Sequence, residues 1–369
     1  MKKIIISICI VGLIAVAYSC NKSINPPSGT VYLDLPTKSS IYFNKESLSF
    51  NNTLNDKATL GRVLFYDGHL SVNNTIACAT CHKQNNGFAD NVAFSTGFEG
   101  KLTKRNSKSI LNLISFDSLF EESSIYSVGQ SLFWDGRENI LANLVDRPIT
   151  NHVEMGIDDA NTLPAKLASL PFYASLFKNA YYGDSSITSA RISECIAIFM
   201  ASIQSKSSKY DQYLQGNTMI LNASETNGMN LFNGKYNCGS CHHLQSNFYT
   251  MSDFKDIGLD ETYIDLGLGN ITLSTNDNGK FRVPSLHNVA LTAPYMHDGR
   301  FKTLDEVLEH YSHSILNSPN LDTLLKSASQ PISMNISTED KAALIAFLNT
   351  LTDFTTIVDP KFSNPFKVK

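Results

Sequence analysis

The stretches that decide the fold are Cys78-Ala79-Thr80-Cys81-His82 and Cys238-Gly239-Ser240-Cys241-His242. Both follow the pattern Cys-x-x-Cys-His, and together they contain four of the seven cysteines in this 369-residue chain. This is the pattern of covalent c-type haem attachment, in which two thiols bind one porphyrin and the adjacent histidine binds its iron. The sequence therefore predicts two haem c groups, one at each motif, with His82 and His242 as iron ligands.

Three other uses of paired cysteines fit this sequence less well. A zinc ribbon places its two Cys-x-x-Cys pairs about 15–20 residues apart, much closer than Cys78 and Cys238. A thioredoxin-like redox site needs one such pair in a βαβ unit, not two pairs that are each followed by histidine. Structural disulfides form in exported proteins, but a disulfide within Cys-x-x-Cys closes a strained loop and is rarely structural. Cys195, by contrast, lies on an apolar helical stripe and is expected in the core.

A similar short sequence, predicted to be helical, precedes each motif. It reads Gly61-Arg-Val-Leu64-Phe65 in the first copy and Gly228-Met-Asn-Leu231-Phe232 in the second. A glycine on the face shared with leucine and phenylalanine would let another helix or the porphyrin approach closely.

Helix-start signals and apolar patterns predict one helix before the second motif and others after each motif. They predict helices that start at Asn222 and Ser337 and one over 189–203, whereas 83–131 is rich in Gly, Asn and Ser. The predicted fold is mainly α, with two c-type cytochrome-like haem domains and long loops.

The amino terminus has the features of an export signal. Two lysines precede an apolar run over 4–17, which predicts a signal peptide at 1–19. Ala17-Tyr-Ser-Cys20 is similar to a lipoprotein cleavage box, so we expect Cys20 to carry lipid and the protein to be anchored to a membrane in the periplasm. An ordinary signal peptide with an incidental cysteine is the alternative.

The rest of the chain divides into three predicted segments. Residues 20–44 are interpreted as a flexible tether. An N-terminal peroxidatic haem domain is expected at 45–215 and a C-terminal electron-transfer haem domain at 216–360. The formal net charge is −4 and no basic stripe occurs, so nucleic acid is not an expected partner.

From about residue 45 to 355 the chain resembles the bacterial di-haem cytochrome c peroxidase and MauG family. Besides the two cysteine motifs, the resemblance is carried by short pieces whose order and spacing are specific together. They are Arg105-Asn-Ser107, Phe133-Trp-Asp-Gly-Arg137, Val153-Glu-Met-Gly156 and Ala293-Pro-Tyr-Met-His-Asp-Gly-Arg-Phe301.

The resemblance implies an enzyme that reduces hydrogen peroxide at the N-terminal haem. Glu154 matches the family's acid–base residue, and Trp134 matches the aromatic relay between the haems. Phe98 falls where the family can place a blocking histidine, which predicts a five-coordinate first haem that needs no reductive activation. Leu144 replaces a distal glutamine. In an extended segment His152 would share a side with Glu154 and could replace the lost donor; a surface position is the expectation for it.

The second haem needs a further ligand besides His242. Tyr311 lies on the apolar stripe of a helix that starts at Thr303, whereas His310 is turned toward the charged face and is expected in solvent. The family has methionine here in ordinary peroxidases and tyrosine in the MauG-like branch, so Tyr311 is the predicted ligand. His310, His313 or a methionine remain alternatives.

The family also binds a calcium ion between its haem domains. By resemblance its ligands here are the Asn106 side chain and the carbonyls of Thr292 and Pro294, and oxygen donors suit this ion.

Three functions remain open on the sequence alone. The first is a peroxidase that draws electrons from a small cytochrome c or cupredoxin, and the second is MauG-like oxidation of side chains on a partner protein. The third is a di-haem electron carrier without peroxide chemistry, and a sensor or scavenger is a further possibility.

Overall fold

The computed structural model describes residues 31–35, 42–43, 52–114, 131–244 and 253–368, and these are mainly helical. The α-helices are α1 (Asn52–Tyr66), α2 (Cys78–Cys81), α3 (Leu141–Ile149), α4 (Leu163–Ala168), α5 (Tyr173–Ala180), α6 (Ser189–Ser202), α7 (Lys209–Leu214), α8 (Ala223–Asn233), α9 (Gly269–Thr272), α10 (Leu304–His313) and α11 (Thr338–Asn349). The strands are β1 (Val31–Leu33), β2 (Phe254–Lys255), β3 (Phe281–Arg282), β4 (Lys326–Ser327), β5 (Gln330–Pro331) and β6 (Phe366–Val368). They pair antiparallel as β1–β6, β2–β3 and β4–β5.

The helix before the first motif packs closely against α6. A Cβ atom on Gly61 would lie 1.9 Å from the carbonyl oxygen of Cys195, so only glycine allows the two backbones this separation. One turn further on, the rings of Phe65 and Phe199 lie 5.2 Å apart. Cys195 is fully buried in this contact, which confirms its prediction as a core residue.

The second half of the chain repeats this packing with α8 and α11. A Cβ atom on Gly228 would lie 2.0 Å from the carbonyl oxygen of Ala343. The rings of Phe232 and Phe347 then lie 5.5 Å apart, as in the first pair. In both copies the glycine therefore admits another helix.

Caps fix where several of these helices begin. The Ser337 side chain accepts a hydrogen bond from the Asp340 amide, and Asn222 and Thr303 each form a reciprocal capping box with the glutamate three residues later. These helix starts were predicted and are confirmed, as is the helix over 189–203. Within the described part of 83–131, residues 83–114 contain turns of 3-10 helix and no α-helix.

Each half has its own hydrophobic core. The first core runs from Tyr42 to Ile203 and includes Phe362, and the second runs from Tyr210 to Leu351. Tyr210, which the predicted division placed in the first domain, is fully buried against the Phe347 ring of the second core, 5.3 Å away.

Part of the segment interpreted as a tether is packed against the folded chain. β1 pairs with β6 at the carboxyl end, and the amides of Tyr42 and Phe43 donate to the Asn55 side chain at 3.2 Å. The predicted signal peptide and Cys20 lie outside the described residues. Among the described helices, none has the length and apolar character that crossing a bilayer requires.

Candidate haem sites

The first motif forms the short helix α2, and its histidine is held by backbone. His82 Nδ1 lies 2.9 Å from the Phe88 carbonyl oxygen, which can only accept, so Nδ1 carries the hydrogen and Nε2 remains available to a metal. Burial lowers the pKa of His82 and favours the neutral form that a metal ligand needs. The Ser107 hydroxyl lies 3.4 Å from the same Nδ1.

The second motif presents its histidine in the same way. Residues Cys238–Ser240 form a 3-10 turn, and His242 Nδ1 lies 3.1 Å from the Pro284 carbonyl oxygen. Burial lowers the pKa of His242 to about 4, so this imidazole is neutral at physiological pH. The four motif cysteines carry free thiols. Each motif therefore offers two thiols and one imidazole nitrogen, the donor set that haem c requires.

A cavity of about 590 Å³ adjoins the second motif. Cys238, Cys241 and His242 lie on its wall, and α10 and α11 contribute apolar side chains such as Leu308 and Leu344. Its size lies in the range of cofactor pockets. Because the thiols, the imidazole and an apolar lining converge on one space, the residues present fit a haem c group.

Tyr311 faces this cavity together with three apolar side chains of α10, Leu304, Val307 and Leu308. Burial, and next the charges of Cys238 and Cys241, raise the pKa of its phenol, which places it on the same side as the thiols. Met296 and Met334 also line the cavity, so the methionine alternative has candidates.

The prediction that His310 lies in solvent is wrong. Only 3% of the residue is exposed, and its Nε2 lies 2.9 Å from the Ile257 carbonyl oxygen. The face of α10 that carries His310 is covered by the loop around Ile257, which the helical pattern alone did not reveal. His313 is exposed and pairs with Glu309 at 2.9 Å. Neither histidine lines the cavity.

Glu154 lies beside the first motif. Its negative charge raises the pKa of both Cys78 and Cys81, after the larger effect of burial on each thiol. Asn151 donates from Nδ2 to Oε1 of Glu154 at 2.7 Å, which leaves Oε2 for other partners. Burial raises the pKa of Glu154, and the positive charge of Arg137 opposes this rise.

His152 does not share this position. The segment is a turn rather than an extended strand, because the Glu154 amide donates to the Asn151 carbonyl at 2.9 Å. His152 is exposed and pairs with Asp158 at 3.1 Å, so the surface interpretation is confirmed. The polar neighbour of Glu154 is Asn151, which sequence reasoning missed although it lies three residues earlier.

Phe98 packs against the Glu154 turn. Its amide donates to the Glu154 carbonyl at 2.8 Å, and a Cβ atom on Gly156 would lie 2.7 Å from its ring. A hydrocarbon side chain therefore stands next to the acid–base candidate. Leu144 lies on α3 and is partly buried against the first core.

Trp134 connects the two halves of the molecule. Its indole Nε1 donates to the Asn106 carbonyl at 2.9 Å, and its own carbonyl accepts from the Arg282 amide at 2.8 Å. Its side chain lines the cavity of the second motif. The Lys108 ammonium lies 4.5 Å from the centroid of the indole ring, and burial, then the charge of Arg282, lower the pKa of this lysine.

The three residues expected to bind calcium lie on the wall of this cavity. Asn106 is buried, and its Nδ2 donates to the Val92 carbonyl at 3.0 Å, which leaves Oδ1 as the side-chain donor for a cation. In the described part of the chain, no cluster of three or more His, Cys, Asp or Glu side chains could hold a metal. A calcium site here depends on amide and carbonyl oxygens and stays a prediction.

An ion-pair network fixes the loops around Trp134. Arg105 binds Asp135 at 2.5 Å through Nη1 and Asp265 at 2.6 and 2.7 Å through Nε and Nη2. His297 stacks on the Phe281 ring at 3.7 Å, and its carbonyl accepts from the Asn106 amide. Sequence reasoning gave neither Arg105 nor His297 a role, although both lie in the motifs that carry the resemblance.

Two helix pairs, each with a Cys-x-x-Cys-His motif, define a di-haem c-type cytochrome architecture. The family model for di-haem cytochrome c peroxidase matches residues 55–219 and 231–367. The chain belongs to this family. It is therefore a peroxidase-type oxidoreductase with two haem c cofactors.

Individual relatives agree with this membership. The methylamine utilization protein MauG of Methylorubrum extorquens is 31% identical over 298 residues, which cover 80% of this chain and 78% of that protein. The cytochrome c551 peroxidase of Nitrosomonas europaea is 31% identical over 302 residues, 80% of each chain. Among solved structures, a MauG-like protein associated with microbial copper homeostasis superposes with a TM-score of 0.72 at 33% identity, over 84% of this chain and 93% of that one.

Proposed function

We propose that this protein is exported to the periplasm and reduces hydrogen peroxide to water at the Cys78–His82 site. Electrons enter through the Cys238–His242 site. Each peroxide takes up two electrons and two protons and yields two water molecules. The observation that carries the proposal is the position of Glu154, a half-buried carboxyl group beside the first pair of thiols.

When bound, haem c supplies a redox-active iron that accepts peroxide and exchanges electrons. The chain supplies the proton chemistry. Asn151 holds Oε1 of Glu154, so Oε2 is the atom that takes a proton from one peroxide oxygen and returns it to the departing oxygen. Burial raises the pKa of Glu154, which brings the carboxyl group closer to the proton affinity such a shuttle requires.

Phe98 keeps the peroxide side of the first site open. Its ring cannot bind a metal, and the hydrogen bond from its amide to the Glu154 carbonyl fixes it beside the acid–base residue. The enzyme is therefore active as isolated, with His82 as the protein ligand of the first haem.

Trp134 relays electrons between the two sites. It lies against the cavity of the second haem, and its indole hydrogen-bonds to the loop that continues into Ser107, a neighbour of His82. Calcium at Asn106, Thr292 and Pro294 would stabilise the same junction.

Tyr311 supports a second candidate function. A tyrosine oxygen is a hard ligand and stabilises higher oxidation states of iron, unlike a methionine sulfur, which raises the haem potential. With Tyr311 facing the cavity, the haem pair can oxidise side chains of a partner protein in the manner of the MauG-like branch. The first candidate donor remains a cytochrome c or cupredoxin, and a lipid on Cys20 would hold the protein at a membrane.

The test uses protein made in a host that attaches haem c. Replacing Cys78 and Cys81 with alanine removes the first haem, and replacing Cys238 and Cys241 removes the second. Both variants should lose donor-dependent peroxide turnover, while only the second should retain a spectral response to peroxide. A wild-type protein that transfers electrons without consuming peroxide would favour the electron-carrier alternative.

A further inference from the structure

Lys108 occupies a position between the two motifs. Its neighbour Ser107 hydrogen-bonds to the Cys81 carbonyl at 2.8 Å, next to the first motif. Its own side chain lines the cavity of the second motif. The Nζ atom is buried and has no hydrogen-bond partner among the described residues.

Among the described residues, no carboxylate pairs with this lysine. In the part of the chain that the structure describes, its ammonium group lies over the face of the Trp134 ring, 4.5 Å away, and a cation–π contact is weaker than the cost of burying an ammonium group. Arg282 lies on the same cavity wall and adds a second positive charge. Among the described residues that line the cavity, Asp322 is the only acid, and it pairs with Lys255 at 3.0 Å.

A buried ammonium group directed into a cofactor-sized cavity is suited to bind an anion. Haem c carries two carboxylates, the propionates, on the porphyrin edge opposite the carbons that bind cysteine. A porphyrin attached at Cys238 and Cys241 therefore directs these carboxylates away from the thiols, across the cavity that Lys108 lines.

We propose that Lys108, with Arg282 beside it, binds a propionate of the haem held by Cys238, Cys241 and His242. The inference rests on the proposed haem assignment. The resulting ion pair fixes the porphyrin edge against the Trp134 face, so that the second haem and the relay residue share one contact. Lys108 is thus a positioning residue for electron transfer and not a catalytic one.

The reduction equilibrium of the second haem provides a readout that does not depend on turnover. A buried positive charge stabilises the reduced haem, which carries one positive charge fewer. Lys108→Met keeps the length of the side chain and removes its charge. We expect the equilibrium constant of the second haem in this variant to shift toward the oxidised form by about tenfold, which is about 59 mV for one electron. Lys108→Arg should retain the wild-type equilibrium.

Lys235→Met is the matched control. Lys235 also lines the cavity, but 58% of its side chain is exposed and it pairs with Asp340. Its loss changes the net charge equally, and water screens it, so we expect a much smaller shift. Where Lys108→Met does not incorporate haem, Lys108→Gln is measured instead.

Potentiometric titration of the second haem, with and without acetate, separates the outcomes. A shift in Lys108→Met, absent in Lys108→Arg and insensitive to acetate, supports the proposal. Equal potentials in wild type and Lys108→Met overturn it, and a wild-type potential that depends on acetate assigns the site to free anions instead. A wild-type protein with one haem per chain would refute the haem assignment itself, which is a different failure.

Discussion

Replacing Glu154 with glutamine is the most direct perturbation of the proposed proton chemistry. Glutamine preserves the shape of the side chain and removes its ability to take and return a proton. General acid–base catalysis contributes roughly 10²- to 10⁴-fold, which corresponds to about 2.7–5.4 kcal/mol at 1.36 kcal/mol for each tenfold change. We therefore expect kcat/KM for peroxide to fall by roughly 10²-fold or more.

A variant of Asn151, the hydrogen-bond partner of Glu154, provides a control with an intermediate expected effect. Asn151→Ala removes the hydrogen bond to Oε1 of Glu154 but leaves the carboxyl group in place. A hydrogen bond to a charged group contributes about 1.5–3 kcal/mol. The loss in Asn151→Ala should therefore lie between wild type and Glu154→Gln.

The charge of Arg137 predicts the direction in which the pH dependence of kcat/KM changes when this residue is replaced. Its charge opposes the burial that raises the pKa of Glu154. Replacing Arg137 with glutamine removes this opposition and raises that pKa further. Because the carboxylate is the form that accepts the peroxide proton, the acidic limb of kcat/KM should move to higher pH.

The assay is the oxidation of a reduced donor by peroxide over a range of pH, with both haems verified by absorbance. Glu154→Gln with an intact ferric spectrum and wild-type turnover would refute the assigned role. An acidic limb that stays in place in Arg137→Gln would refute the electrostatic coupling.

Three further predictions concern the second haem, the helix packing and the calcium site. Tyr311→Phe should change only the low-spin signal of the ferric protein, and an unchanged signal would exclude the phenolate ligand. Gly228→Ala places a Cβ atom 2.0 Å from a backbone oxygen of α11, so we expect about 1–3 kcal/mol of destabilisation in urea unfolding, where an unchanged midpoint would contradict the packing. Chelation of calcium should lower the melting temperature of wild type but not of Asn106→Ala, and equal changes in both proteins would count against Asn106 as a ligand.

The repeated unit of helix and haem motif could be predicted from the sequence because its features are local. A haem-attachment motif, a capping residue and a glycine in an apolar stripe each depend on neighbours within a turn or two. This is why Ser337, Asn222 and Thr303 were found as helix starts. The sequence could not decide what approaches Gly61 and Gly228, because that neighbour comes from a distant helix.

The wrong prediction at the site, for His310, arises from a contact between distant segments. His310 was expected in solvent because its side of α10 is charged, yet the loop around Ile257 covers it. The expected surface position of His152 is confirmed; the alternative position beside Glu154 required an extended chain, and the backbone turns there instead. The burial of Lys108 could not be predicted, because nothing in a sequence distinguishes a buried lysine from an exposed one.

The proposed function divides the labour between one haem with an open sixth position and one with two protein ligands. Electron paramagnetic resonance of the ferric protein as isolated, before and after hydrogen peroxide, measures both states at once. We predict one high-spin and one low-spin signal, both altered by peroxide. Two low-spin signals that persist after peroxide would contradict it.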